Sequence, residues 1–444
     1  MYTISQDTEI SAKLFKEMIK KNDEEKARLD KLENYYKSKH DILSRYKSSG
    51  LSNNKVVVNH ARYITETCVG YLLGSPVEYQ VNNEKYDITA VLDVYKKQVM
   101  NDFDISIAKA NSIYGKQFEY IYTNVDTEPR SCSMDVRNCI IAYDDTVEHK
   151  KVFGIIYSKE KDNEYKIIYA DDSNVVEYYI EGNNLREESK KPHKFGGVPI
   201  IEYKNNEEET GDFEPVLSLI DAYNVLQSDR VNDIEQLVDA ILCFYGAHFT
   251  VEQAEQLGEA RMLSDLPVDS KVEYLIKTLQ ESETDILRQN IENDIHKIAM
   301  VPNMADENFA SNASGVAIKY KLLSFEQNIK NKERYMERGL MERFRLYNNF
   351  LSTTHKMQFV PTEEVDAVFK RNLPSNDYET SQMINNLSDF VDKETLIAQL
   401  SFVQNAKDIV ETKEREKENE NTGRERVYQN IEIPKKETIN EQTV

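Results

Sequence analysis

Hydrophobic and polar positions alternate with a helical period between residues 215 and 301, apart from a compact central insert. In the first helical segment, apolar residues recur at steps of three and four, as on one face of an amphipathic helix. This face comprises Leu219, Ile220, Tyr223, Leu226, Val231, Ile234, Val238 and Ile241. The opposite side comprises Asp221, Ser228, Asn232, Glu235 and Asp239. The pattern therefore predicts a helix with one packed face, and Pro215 suits its first turn.

A second helix is predicted over residues 282–300, with Ser282 and Asp285 spaced as a capping box. Its apolar face comprises Leu287, Ile291, Ile295 and Ile298. The insert reads as a strand (CFYGAHF), a helix (VEQAEQLGEARML) and a second strand (VEYLI). Two long helices with a small α/β tip have little core of their own, so we expect them to pack against neighbouring copies of the chain.

The rest of the chain predicts an α+β fold. Residues 116–204 change to a period of two, with six strand-like runs that indicate a mainly antiparallel sheet. Residues 205–213 read as an acidic linker at a subdomain boundary. Helices are predicted over 7–46, 58–73, 87–99, 103–115, 314–351 (with Ser314 as its N-cap) and 378–412, and two strands within 355–371 are expected to rejoin the sheet. The last residues, 431–444, have the composition of a disordered tail.

The longest predicted helix carries its apolar face on Leu322, Phe325, Ile329, Met336, Leu340, Phe344, Tyr347 and Leu351. Between residues 319 and 345 it holds eight basic and four acidic side chains, a local net charge of +4 (8 − 4), whereas the whole chain has a net charge of −22. The basic residues could face DNA phosphates, or they could form ion pairs on a solvated or oligomer-facing surface.

Three blocks of sequence resemble the portal proteins of tailed double-stranded DNA phages, in particular the SPP1-type branch. They are NNKVVVNHARYITETCVGYLLGSPVEY from Asn53, LIDAYNVLQSDRVNDIEQLVDA from Leu219, and ENFASNASGVAIKYKLL from Glu307. The blocks follow the family's order from about residue 50 to about residue 350.

The resemblance implies a ring of about twelve copies around an axial channel. It also implies a division of the chain into a wing (1–214 and 352–377), a two-helix stem (215–242 and 281–301), a clip (243–280), a tunnel loop with a long helix (302–351) and a short crown (378–430). In such a protein, double-stranded DNA is packaged and ejected through the channel. The clip docks the terminase large subunit and then head–tail connector proteins, and the ring also contacts major capsid and scaffolding proteins.

The implied location is the portal vertex of the virion, after assembly in the host cytoplasm. Candidate channel residues are Asn303, Asn308, Ser311, Asn312, Ser314, Lys319 and Lys330. Candidate docking residues of the clip are Tyr245, His248, Glu252, Glu255, Glu259, Arg261 and Lys271. The strongly negative chain is expected to let DNA slide without a deep binding minimum.

Other chemistry has weaker support in the sequence. Two adjacent carboxylates in a YADD run, Asp171 and Asp172, could hold divalent metals in a nucleic-acid enzyme, although a YDD run at 143–145 suggests a recurrent strand end. No glycine-rich phosphate loop, metal-ligand spacing or bilayer-length apolar run of about 20 residues is present, so we expect no ATPase activity, cofactor, metal or membrane partner. Cys132 and Cys139 could pair, but free thiols are expected. A helical scaffold or adaptor protein is a further alternative.

Overall fold

A computed structural model gives the fold of this chain. It describes the chain except for residues 1, 6–7, 49–51, 239–240, 247–270, 276–280, 305–319, 321, 372–376, 401–402, 404–405, 407–408, 411, 414 and 416–444. The described residues belong to two units, Met1–Asn372 and Leu373–Val444. The predicted α+β class is confirmed, because the first unit combines long helices with several small sheets.

The first unit begins with a short strand, β1 (Tyr2–Ile4), followed by five helices. These are α1 (Ala12–Asp23), α2 (Lys26–Tyr36), α3 (His60–Leu72), α4 (Thr89–Lys97) and α5 (Met100–Tyr114). The Ser11 side chain accepts a hydrogen bond from the Leu14 amide and so caps α1. The prediction of helix throughout residues 7–46 is too extensive, because the two helices in this region extend only to Tyr36. Helix α2 ends at Tyr36, just before Ser38 adopts a positive φ of 63°, and the chain then forms only a 3₁₀ turn (Asp41–Ser44).

Two separate sheets follow, where one was predicted. The larger sheet has the order β1, β5 (Cys139–Asp144), β6 (Lys151–Lys161), β7 (Glu164–Ala170), β8 (Asn174–Glu181), β9 (Asn184–Pro192). In this sheet β1 pairs in parallel with β5 and the other neighbours are antiparallel. The smaller sheet has the order β10 (Ile200–Lys204), β3 (Lys116–Thr123), β4 (Pro129–Met134).

The prediction missed β1, β4 and β9, which are edge strands. The sequence of β9, NLREESKKP, is polar and largely exposed, so it lacks the alternation of a half-buried strand. Of the two strands predicted within 355–371, only β13 (Val365–Val368) forms, and it pairs with β2 (Glu78–Val81) rather than with the earlier sheet.

The long helices follow the predicted pattern more closely. A helix α6 (Leu217–Val238) leads to the strand β11 (Ile241–Tyr245), which pairs antiparallel with β12 (Lys271–Leu275). The chain then enters α7 (Glu281–Ile298), and later α8 (Leu323–Thr354). The helix predicted between the two tip strands lies outside the described residues.

All eight apolar positions predicted for the face of α8 are buried. The helix is 32 residues long, which corresponds to about 48 Å. Its predicted N-cap, Ser314, lies outside the described residues, and the described helix starts after Leu322. The capping box of α7 is wrong, because Ser282 lies inside the first turn of a helix that begins at Glu281, and Asp285 accepts hydrogen bonds from Arg288 and Gln289 instead.

The second unit contains α9 (Asp377–Leu387) and α10 (Lys393–Ile397) among its described residues. The Asp392 carboxylate accepts a hydrogen bond from the Thr395 amide and caps α10. The tail predicted for residues 431–444 lies outside the described residues. In the described part of the chain, no helix has both the length and the apolar character that a membrane crossing requires.

Candidate functional site at the base of the helix pair

Helices α6 and α7 run antiparallel from a buried base to an exposed far end. The direction follows from their contacts, because Arg288 and Glu292 of α7 lie near Tyr223, whereas Asp285 lies near Arg230 further along α6. At the base, Ile220, Tyr223 and Ile295 are buried in the main core. Toward the far end, apolar side chains are exposed on both helices: Val231 at 37%, Ile234 at 49%, Ile286 at 58% and Leu287 at 51%.

Part of the polar side of α6 is buried as well, which corrects the simple amphipathic picture. Three side chains one helical turn apart, Asn224, Ser228 and Asn232, are each at most 2% exposed. They accept hydrogen bonds from alternate amides of an extended segment, the strap, which comprises residues 53–58. The donors are Val58 (2.8 Å), Val56 (2.9 Å) and Asn54 (2.7 Å).

The spacing of the two elements explains this match. Every fourth residue on a helix advances about 6 Å, and every second residue of an extended chain advances about 6.5 Å. A row of three polar helical side chains can therefore satisfy alternate amides of the strap, whose backbone would otherwise lack partners. The strap lies in the NNKVVVN run of the first sequence block, so that block specifies how α6 is attached to the body of the subunit.

A buried histidine, His40, contacts Asn224, the same side chain that binds the Val58 amide of the strap. The His40 Nε2 atom lies 2.9 Å from the backbone carbonyl oxygen of Tyr35, and its Nδ1 atom lies 2.8 Å from the side-chain amide nitrogen, Nδ2, of Asn224. The carbonyl must accept and the amide must donate, so the ring is neutral with its proton on Nε2. Burial lowers the pKa of His40 from its ordinary value, in agreement with this neutral state. Nearby, Arg45 and Lys47 both pair with Asp229 of α6.

The chain that follows α7 is also held by side chains. His296 Nδ1 lies 3.1 Å from the Val301 carbonyl oxygen, and the Tyr63 hydroxyl contacts both Pro302 and Met304. Asn303 donates to Glu292 over 3.0 Å. We call this four-residue segment, Val301–Met304, the junction, because it continues the chain from α7 into the region predicted as the tunnel loop.

Histidine 60 lies beside this junction without a polar partner. It is 7% exposed and its Nε2 atom has no hydrogen bond, while its ring contacts the rings of Tyr223 and His296 edge-on at 4.8 Å and 5.7 Å between centroids. Burial, with a smaller contribution from the nearby His296 and a smaller opposing effect of Glu292, lowers the pKa of His60 to about 4. The site is therefore built around neutral imidazoles.

The basic residues of α8 do not form one surface. Arg343 is fully buried and bonds Asp104 of α5 (2.5 Å) and Glu119 of β3 (2.9 Å), and Lys332 is 7% exposed and bonds Asp212 (2.5 Å). Lys332 and Arg343 are among the eight basic residues counted on this helix, and because both are internal they are removed from the set that could face DNA. Lys330, Arg334 and Arg338 remain exposed on α8.

The segment predicted as an acidic linker is bound to the core rather than loose. Asp212 accepts from the Ser112 hydroxyl (2.6 Å) as well as from Lys332, and Asn205 accepts from Lys332 (2.7 Å). These contacts attach residues 205–212 to both α5 and α8.

Comparisons with known proteins decide the family. The family model for phage portal proteins of the SPP1 Gp6-like type matches residues 16–423. The chain belongs to this family of portal proteins. It is 24% identical to a portal protein of Bacillus phage SPP1 in an alignment of 397 residues that covers 80% of this chain and 74% of that protein. It is also 26% identical to a portal protein of Clostridium phage phiCD119 over 199 residues, 43% of this chain and 42% of that one. A portal function in the capsid of a tailed phage, and thus in DNA packaging, follows from this membership.

Within this portal chain, four of the predicted site residues can be placed. Tyr245 and Lys271 face each other across the β11–β12 pair, and both are exposed. Asn303 is partly buried in the junction, and Lys330 is exposed on α8. The remaining predicted residues lie outside the described part of the chain: Asn308, Ser311, Asn312, Ser314, Lys319, His248, Glu252, Glu255, Glu259 and Arg261. Sequence reasoning missed the strap and the anchors of the junction, Tyr63, Glu292 and His296.

The YADD carboxylates serve a turn. Asp171 accepts hydrogen bonds from the amides of Ser173 (2.8 Å) and Asn174 (2.6 Å), which closes the connection between β7 and β8. Tyr169 of the same run is buried in a core cluster. Among the residues that the structure describes, no His, Cys, Asp or Glu side chains are grouped so that they could hold a metal ion. Cys132 and Cys139 are both free thiols.

Proposed function

We propose that about twelve copies of this chain close into a ring around an axis and that double-stranded DNA passes through its centre. The observation that supports this most is the form of the α6–α7 pair. Its base is fixed in the subunit core, while apolar side chains further along both helices are exposed. A subunit that exposes such side chains on two neighbouring helices is suited to contact with further copies.

The proposal includes the division into wing, stem, clip, tunnel region and crown. Helices α6 and α7 would be the stem, and the β11–β12 tip would belong to the clip. The junction would connect the stem to the tunnel loop. The second unit would contribute the crown.

DNA transit in this proposal is passive. A net charge of −22 per chain repels phosphates, so few phosphate contacts would form and salt would screen them. Energy for packaging would come from the terminase, and this chain would not hydrolyse ATP. The clip, with Tyr245 and Lys271 exposed on paired strands, would dock first the terminase large subunit and then the head–tail connector.

The ring would form in the host cytoplasm, together with scaffolding and major capsid proteins, and remain at the portal vertex of the virion. An enzymatic role for the YADD carboxylates has little support, because Asp171 is used by a turn. We expect replacement of Asp171 and Asp172 by asparagine to change stability at most slightly and to abolish no metal-dependent turnover.

Negative-stain imaging and mass measurement of the purified full chain test the proposal. We expect closed rings without nucleotide. An Ile234→Asp variant should shift assembly to higher protein concentration, because it places a charge on the exposed apolar surface of α6. The matched control is Val147→Asp, at a residue that is 99% exposed in a different part of the subunit and should assemble normally. Monomers of the wild-type chain at micromolar concentration would refute the ring.

A further inference from the structure

One tyrosine of helix α3 contacts the junction at two positions. The Tyr63 hydroxyl donates a hydrogen bond to the Pro302 carbonyl oxygen over 3.0 Å, and it accepts one from the Met304 amide over 2.9 Å. A single phenol thus holds the backbone on both sides of Asn303. The ring of Tyr63 packs against the main core, so the hydroxyl is fixed in position by its own packing.

Helix α7 holds the two other residues of the junction. Glu292 accepts from the Asn303 side chain over 3.0 Å, and the Val301 carbonyl accepts from His296 Nδ1 over 3.1 Å. The rings of His296 and Tyr63 meet edge-on at 5.4 Å between centroids. Each of the four consecutive residues, Val301–Met304, is therefore bonded to a side chain of α3 or α7.

We propose that Tyr63 is a positioning residue, which fixes the junction to helix α3 and thereby sets the geometry with which the stem continues into the tunnel region. This inference rests on the proposed function, because it assigns a role in DNA packaging to a contact within the subunit. A four-residue segment with ordinary turn propensity could adopt many conformations, and the ordering cost is about 1–2 kcal/mol per residue. The hydrogen bonds from two helices select one conformation.

Tyr63 makes its hydrogen bonds and its ring contact at the base of the helix pair, with Pro302, Met304 and His296, whereas the exposed apolar residues that are proposed to pack against neighbouring copies lie toward the far end. Removal of its hydroxyl should therefore leave ring assembly intact and alter only the junction. This separates a positioning role from a general contribution to stability.

The test uses rings of the full chain carrying Tyr63→Phe, with Tyr36→Phe as the matched control. Tyr36 also donates a hydrogen bond through its hydroxyl group, to Glu66 of α3, which is not a residue of the junction. In Tyr63→Phe, hydrogen exchange of the Met304 amide should rise about 2- to 10-fold, which corresponds to one lost hydrogen bond. DNA packaged per procapsid, in a reaction with the cognate terminase, should fall several-fold, while ring yield and melting temperature match the control.

A second variant, Asn303→Ala, removes the bond to Glu292 at a partly exposed position and should reduce packaging in the same way. Unchanged Met304 exchange in Tyr63→Phe would overturn the inference, and so would increased exchange with normal packaging. If wild-type rings support no packaging, the proposed function fails and the positioning role fails with it. Normal wild-type packaging with unaffected variants overturns the positioning role alone.

Discussion

Replacement of Arg343 by methionine should destabilise the subunit strongly, although a basic residue on a long helix could be taken for a DNA contact. The guanidinium is fully buried between Asp104 and Glu119, whose side chains are 6% and 0% exposed. Glu119 also accepts a hydrogen bond from the Tyr203 hydroxyl over 2.6 Å. These contacts join α5, β3, β10 and α8.

The size of the stability loss in Arg343→Met follows from the two carboxylates that remain buried. Methionine fills much of the volume of arginine, but it leaves two carboxylates buried without a cation. Breaking a buried ion pair in this way costs about 3–5 kcal/mol. Burial raises the pKa of Asp104 above its ordinary value despite the attraction of Arg343, so the charged form of this carboxylate is already disfavoured by its surroundings. With an m-value of about 3 kcal/mol/M, the urea midpoint should fall by roughly 1–1.7 M.

Urea unfolding followed by circular dichroism measures the effect, and Lys330→Met is the matched control. Lys330 is an exposed cation of the same helix, so its replacement should change stability by no more than about 0.5 kcal/mol. A second substitution, Glu119→Gln, in the Arg343→Met background should recover part of the loss, because one unpaired charge is removed. Equal midpoints for Arg343→Met and Lys330→Met would refute the internal role of Arg343.

Three further predictions concern the strap, the buried histidine and the YADD turn. Ser228→Ala should cost about 1–3 kcal/mol and accelerate hydrogen exchange at the Val56 amide, whereas Ser218→Ala, at an exposed position of the same helix, should do neither. Because burial lowers the pKa of His60 to about 4, its contribution to stability is present above pH 6.5 and is lost as the pH falls from about 6.5 toward 4; urea titrations should show a weaker loss for His60→Phe. Asp171→Asn should melt close to wild type, since asparagine can accept the same turn hydrogen bonds, and a large loss of stability would contradict the turn role.

The sequence predicted α8 well because its apolar side chains repeat with the helical period and all of them pack on one core. The same sequence also contains a signal for the two internal cations. Lys332 follows Ile329 by three positions and Arg343 follows Leu340 by three, so both lie on the apolar face. A charged residue on the apolar face of a helix predicts a buried ion pair. The net charge of +4 over residues 319–345 does not show this, because it counts buried and exposed basic residues alike.

The strap could not be predicted from hydrophobic periodicity, because it depends on polar residues. Ser228 and Asn232 lie opposite the apolar face of α6, where solvent exposure is the usual expectation. Only the regular spacing of Asn224, Ser228 and Asn232, taken together with the extended NNKVVVN run, could have suggested the pairing. The acceptors and the amides they bind are more than 160 residues apart in sequence, so no local pattern connects them.

The exposed far end of the α6–α7 pair, the proposed stem, limits how the proposed ring can be held together. Full burial of one Val, Leu or Ile side chain contributes about 1.5–3 kcal/mol, and the four side chains Val231, Ile234, Ile286 and Leu287 are between 37% and 58% exposed. Their complete burial would thus contribute about 3–6 kcal/mol per subunit. Association itself costs about 4–15 kcal/mol, so this surface offsets only the lower part of that range. Other surfaces must supply the remainder, and the strap and the junction would serve to hold the stem at the angle where both sets of contacts can form.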